Sequence, residues 1–140
     1  MDLSEFTKRL AALNADQREA VMLAGGHALV VAGPGSGKTE TLALRIAYLL
    51  SRGTYPGAIL CLTFTEAAAA NMRARLTGLA GAVAYRVPIH TFHGFCTELI
   101  GRNPEHFHEG AAFSPADDLA RISVLQDIFR ELPHDDPLRT

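Results

Sequence analysis

The 140-residue chain contains no tryptophan, two cysteines and only two lysines. Two cysteines exclude a disulfide-built mini-protein, which needs a dense framework of bridges. Cys61 and Cys96 both sit in apolar runs and lack a CxxC spacing. The expectation is a pair of buried free thiols in a reducing, cytoplasmic compartment. No uncharged apolar run reaches the roughly 18 residues of a membrane helix. No basic-then-apolar start marks a signal peptide. The 12 glycines and 7 prolines are too few and too scattered for a fibrous or low-complexity chain. A net charge of −2 excludes a globally basic nucleic-acid binder, though not a local basic face.

What is present is an ordinary globular composition, 48% hydrophobic and 20% charged. The length suits about one domain with its own core. Charge is unevenly spread. Residues 1–97 hold nine Lys/Arg against six Asp/Glu, and residues 98–140 hold four against nine. An anion site is therefore expected in the first two thirds. With lysine so scarce, Lys38 stands out.

Helical spacing of Leu3, Phe6, Leu10 and Leu13 predicts a first helix capped by Ser4. Asn14-x-x-Gln17 predicts a capping box opening a second helix, with Ala20, Val21 and Leu23 as its stripe and Gly25-Gly26 as its end. Residues 27–32 (HALVVA) predict a strand buried on both faces. A loop follows over 33–37, then a helix from Lys38 to Ser51 with Leu42, Ile46, Leu49 and Leu50 on its apolar face. After a turn at 53–57, residues 58–64 (AILCLTF) read as a second buried strand. Thr65 caps a helix reaching Gly78, with Arg73 and Arg75 in its last turns. Residues 85–89 are a third strand and 93–102 a helix stopped by Asn103-Pro104. After an irregular linker at 104–113, Ser114-Pro115-x-Asp117 starts a last helix. It runs to about Leu132 through Leu119, Ile122, Val124, Leu125, Ile128 and Phe129. Strands alternating with helices predict an α/β fold with a parallel sheet, helix-flanked and with right-handed crossovers. A subdomain boundary is expected near 104–113.

The strongest motif is Ala32-Gly33-Pro34-Gly35-Ser36-Gly37-Lys38-Thr39, placed between a predicted strand and a predicted helix. Glycines let successive backbone N–H groups curl around a phosphate. The helix start adds free donors and a positive dipole end. Lys38 supplies charge to the β/γ-phosphates, and the Thr39 hydroxyl reaches Mg²⁺. The bland alternative is a chance glycine-rich turn. On its own the motif signals a nucleoside triphosphate and is shared with small nucleotide kinases.

The flanks narrow this. Leu13 to Val21 (LNADQREAV) precedes the loop. Leu62 to Met72 (LTFTEAAAANM) and His90 to Cys96 (HTFHGFC) follow it. These blocks, in this order and spacing, resemble the N-terminal part of UvrD/Rep-type superfamily 1 DNA helicases over about residues 10–100. The resemblance implies a P-loop NTPase (RecA-like) motor domain, the first part of domain 1A over 1–105, with 106–140 as linker and start of an inserted helical subdomain, 1B. It implies that Gln17 reads adenine; the alternative is a helix-capping glutamine. The implied nucleotide set is Gln17, Gly33, Pro34, Gly35, Ser36, Gly37, Lys38, Thr39 and Glu40, with ATP and Mg²⁺ as ligands. It implies single-stranded DNA and single-/double-strand junctions as partners, touched by Thr63, Phe64, Thr65, Thr91, Phe92 and His93. Phe64 stacked on a base competes with Phe64 in the core, and His93 on phosphate competes with a structural histidine. Two departures stand out. Glu66-Ala67 replaces the family's usual Asn/Glu-Lys, and Glu40 stands where many relatives carry arginine.

Hydrolysis further requires an acidic pair at a strand end. Asp117-Asp118 reads as a helix start, Asp127 as mid-helix and Asp135-Asp136 as a polar tail. The chain therefore reads as an N-terminal fragment, inactive alone, and the resemblance implies that the full protein is a 3′–5′ helicase or translocase serving DNA repair or recombination. Alternatives are a small P-loop kinase and a non-catalytic nucleotide-binding module. His106-Phe107-His108 reads as loop histidines, not a metal site.

Overall fold

A computed structural model describes residues 3–107, 116–133 and 136. Ser114, Pro115, His108 and Asp135 fall outside them. The elements are α1 (Leu3–Ala11), α2 (Ala15–Met22), α3 (Lys38–Ser51), β1 (Cys61–Thr63), α4 (Glu66–Ala80), β2 (Ile89–Thr91), α5 (Phe92–Arg102) and α6 (Asp118–Glu131). Short 3-10 turns cover Pro56–Ala58, Gly81–Arg86 and Pro104–His106. The chain divides into two compact units, Met1–Phe95 and Cys96–Thr140.

In the first unit β1 and β2 pair in parallel, with Cys61 opposite Ile89, Leu62 opposite His90 and Thr63 opposite Thr91. Parallel neighbours need a crossover, and α4 supplies it. α4 packs on both strands, α3 packs on α4, and α1 and α2 pack on α3. The core forms at these contacts. Val21, Leu44, Leu76, Leu79 and Val87 are its largest fully buried side chains.

Local chemistry explains the boundaries. Asn14 caps α2 through the expected box, its Oδ1 accepting from the Gln17 N–H and the Gln17 Oε1 accepting from the Asn14 N–H. Thr65 caps α4, its hydroxyl accepting from the Ala68 N–H at 3.1 Å. Asp117 caps α6, accepting from the Ala120 N–H at 2.7 Å. Ser4 is not a cap: α1 already includes it.

Several expectations need correction. Residues 27–32 form no strand, and Leu29, Val30 and Val31 are 90%, 57% and 89% exposed. A strand buried on both faces needs ladder partners and a covering layer on each side. Among the described residues, the only ladder joins β1 to β2. The strand expected at 85–89 begins instead at Ile89. Residues 81–86 wind into a 3-10 turn, and Pro88 has no N–H to give a ladder, though its carbonyl accepts from the Cys61 N–H. β1 is likewise only three residues long, and α4 runs on to Ala80. On α3 the deepest residues are Ala43, Leu44 and Ala47, whereas Leu42 is exposed. α3 lies against both α2 and α4, so small residues face the closest approach.

In the second unit, no residue of α6 is buried, so the apolar run from Leu119 to Phe129 stays exposed. α5, whose first four residues belong to the first unit, has no buried residue either; Cys96 on it is exposed, while Cys61 of the first unit is buried. Cys96 corrects the expectation of two buried thiols: among the described residues no layer covers that position. No helix among the described residues is long and apolar enough to cross a membrane.

Candidate nucleotide and nucleic-acid site

The glycine-rich turn lies between α2 and α3 in sequence, and residues 33–39 are all exposed. Gly35 and Gly37 have φ of 72° and 81°, a region that side-chain-bearing residues rarely adopt. Gly37 also brings the backbone close to α2, since a Cβ there would meet the Gln17 Nε2 at 3.2 Å. Gly37 is the N-cap of α3 and offers no side-chain cap. The amides of Gly35, Gly37, Lys38 and Thr39 make no hydrogen bond among the described residues. They form an exposed row of donors at a helix N-terminus.

The surrounding polar groups hold this turn in shape. The Ser36 hydroxyl donates to the Gly33 carbonyl at 2.7 Å, and the Ser36 N–H donates to the same oxygen at 3.4 Å. The Lys38 Nζ donates to the carbonyls of Gly33 and Ala32, at 2.6 and 3.1 Å. Thr39 is exposed beside it. Gln17 donates its Nε2 to the Ser36 carbonyl at 2.8 Å while its Oε1 serves the capping box. One amide hydrogen and one lone pair of Gln17 stay available. Gln17, Leu23, Ala32, Ser36, Lys38 and Arg45 share one cleft of about 590 Å³, within the usual range of small-molecule pockets.

Glu40 is turned to other partners. Its two carboxylate oxygens meet Arg9 at 3.3 Å and Arg75 at 2.8 Å. The hydrogen bond to Glu5, then that to Glu40, raises the Arg9 pKa above the ordinary guanidinium value.

Sequence reasoning missed Arg45. Its guanidinium donates to the Val21 carbonyl at 2.8 Å and to the Leu23 carbonyl, tying the end of α2 to α3. A cation flanked by Leu44 and Ile46 on a largely buried helix was the available signal, since a charge there needs a partner.

A second cluster gathers where β1 and β2 end. Phe64 is 90% exposed and so is not a core residue. Its ring lies 5.3 Å from that of Phe92, also exposed. His93 is exposed beside them. The Thr63 hydroxyl donates to the Thr65 carbonyl at 3.2 Å. Thr91 is buried, and its hydroxyl is engaged on both sides. It donates to the Glu66 carboxylate at 3.1 Å and accepts from the Gly94 N–H at 3.0 Å. The Glu66–Thr91 bond joins the two blocks and had no sequence signal, because it links the start of α4 to the end of β2, 25 residues along the chain. Of the acidic candidates, Asp117 caps α6, Asp118 lies in its first turn, and Asp127 lies within it. His106 sits in a 3-10 turn near Glu105.

The sequence as a whole is similar to those of known proteins. ATP-dependent DNA helicase UvrD1 of Mycobacterium tuberculosis is 46% identical over 128 residues, 88% of this chain and 16% of the relative. ATP-dependent DNA helicase PcrA of Bacillus subtilis is 38% identical over 123 residues, 87% of this chain and 17% of the relative. The chain thus spans about a sixth of the length of these curated relatives. The profile of the UvrD/REP helicase N-terminal domain matches residues 13–139, nearly the whole chain, and the chain belongs to that family.

Proposed function

We propose that this chain supplies the nucleotide-binding turn and part of the DNA-contacting edge of an ATP-dependent DNA helicase with a RecA-like P-loop motor domain. One observation carries the reading. Four unengaged amides surround an exposed turn, and Lys38 and Gln17 border the same cleft. Such a turn favours a triphosphate tail on both geometric and electrostatic grounds. Gly33, Pro34, Gly35, Ser36 and Gly37 form the cradle, and Lys38 is the charge that meets the phosphates. The two carbonyls that hold Lys38 are weaker partners than a phosphate, so the exchange is favourable. The residual donor and acceptor of Gln17 suit an adenine edge. Thr39 would hold Mg²⁺, which neutralises phosphate charge when bound. Glu40 belongs to this site through its ion pairs rather than through contact with the nucleotide.

Thr63, Phe64, Thr65, Thr91, Phe92 and His93 form the edge for single-stranded DNA and its junctions with duplex. The exposed Phe64–Phe92 pair offers a stacking platform, and Thr91 anchors it by holding Glu66. In the longer protein, ATP hydrolysis drives 3′–5′ movement and unwinding for DNA repair or recombination, in the cytoplasm. Residues 1–105 belong to domain 1A and 106–140 begin subdomain 1B. The chain alone turns over little ATP, since strand-end acids and an arginine finger are required as well.

Calorimetry with Mg·ATP and fluorescence anisotropy with an oligothymidylate test this together. Lys38→Ala is expected to remove triphosphate binding with little change in melting temperature, since the two hydrogen bonds it loses are exposed to solvent. Phe64→Ala is expected to weaken the oligonucleotide by roughly 1–3 kcal/mol, the worth of one stacked base. ATP affinity that survives Lys38→Ala would sink the assignment. Phosphoryl transfer to a small acceptor, with no response to the oligonucleotide, would favour a kinase instead.

A further inference from the structure

Resting on that reading, we propose that Glu40 is a positioning residue that couples the nucleotide-binding turn to the DNA-contacting edge through Arg75. Glu40 lies in the first turn of α3, two residues after Lys38. There its charge is favourable to the helix dipole, and it stands next to any anion held by the turn. Its side chain is 25% exposed and carries an ion pair on each oxygen. Arg75, the partner at 2.8 Å, belongs to α4. The same helix begins at Glu66, whose carboxylate accepts from Thr91 at 3.1 Å. Nine residues of one helix, about 13 Å, separate Arg75 from Glu66.

The path is therefore short. A triphosphate adds negative charge beside Glu40. The carboxylate is pushed toward its guanidinium partners, and Arg75 passes the displacement to α4. A helix moves as a rigid element, so Glu66 and Thr91 shift with it, and with them the turn bearing Phe64. Arg9, the other partner, lies on α1 and is held by Glu5 at 2.7 Å. It anchors Glu40 without reaching the Phe64–Thr91 edge.

The test uses the 140-residue chain, a non-hydrolysable Mg·ATP analogue and a fluorescent oligothymidylate. The quantity read is the ratio of oligonucleotide affinities with and without nucleotide, which linkage requires to equal the converse ratio. The wild type is expected to show a ratio displaced from one by about two- to five-fold, the range a partly exposed ion pair can carry. Glu40→Gln and Arg75→Gln each bring it near one, and the double variant adds nothing further. Arg75→Lys keeps the charge and retains most of the coupling. Arg9→Gln lowers the melting temperature but leaves the ratio intact, which separates coupling from mere stability. A wild-type ratio of one, a ratio unmoved by Glu40→Gln, or an equal loss in Arg9→Gln overturns the proposal alone. A wild type that binds neither probe overturns the functional reading and this proposal together.

Discussion

Gln17 joins two elements with one side chain. Its Oε1 closes the cap of α2, and its Nε2 reaches the Ser36 carbonyl in the glycine-rich turn. The cap was legible because Asn14 and Gln17 are three residues apart. The reach to Ser36 was not, because it spans 19 residues of chain and depends on how α2 packs on α3. The cysteines show the same division. Burial pushes the Cys61 thiol above its ordinary pKa, while the nearby Arg73 charge pulls the other way and loses. The native thiol keeps its proton at a pH where the unfolded one releases it. The stability due to this group is thus present at neutral pH and is lost as pH rises above the ordinary thiol range. Cys96 is exposed. A thiol reagent at mildly alkaline pH is expected to modify Cys96 within the mixing time of the native protein, and Cys61 only on unfolding. Equal rates at both would contradict the burial of Cys61.

Among the elements, helix starts were the easiest features to read. Asn14 and Thr65 each cap the helix expected of them, whereas α6 starts later than the sequence pattern predicts and is capped by Asp117, which that pattern places in the first turn behind a Ser114 cap. A cap is a local device, needing only a short acceptor and a free N–H three residues on. Asn14→Ala is expected to cost about 0.5–2 kcal/mol: it removes the acceptor of the Gln17 N–H but keeps the backbone N–H that holds the Gln17 Oε1, so the reach of Gln17 to the turn survives. A thermal melt would register the cost, and faster hydrogen exchange at the Gln17 N–H the lost cap. Strands were harder. The apolar runs at 27–32, 58–64 and 85–89 looked alike in sequence. Among the described residues the second enters the ladder over Cys61–Thr63, the third only through its last residue, Ile89, just past Pro88, and the first not at all. A strand exists by virtue of its neighbour, so hydrophobicity alone cannot locate it. Helix faces were misread for a related reason: Ala43 and Ala47 matter more on α3 than Leu42, because a close neighbour favours small side chains.

At the scale of the molecule, the first unit holds a core and α6 of the second buries no residue. The core is centred where α3 and α4 meet, with Leu44 and Leu76 both fully buried. Leu76→Ala is expected to cost about 2–5 kcal/mol, a loss that includes the cavity left behind. The substitution also lies one residue from Arg75, so the melt should be accompanied by an oligonucleotide titration. A destabilisation below 1 kcal/mol would show that this contact is not the centre of the core.

The glycine-rich turn, the cap residues and the order of the blocks were written in the chain, because each rests on residue types a few positions apart. Phosphate-binding chemistry needs only glycine freedom, a lysine and a helix start, and all three are local. The placement of Phe64 in the open, the commitment of Thr91 to Glu66 and the clasp of Glu40 between Arg9 and Arg75 came from packing. Each joins residues at least 25 positions apart or depends on which neighbour covers a surface. Such contacts are set by the three-dimensional meeting of helices and strands, for which linear spacing carries no signal.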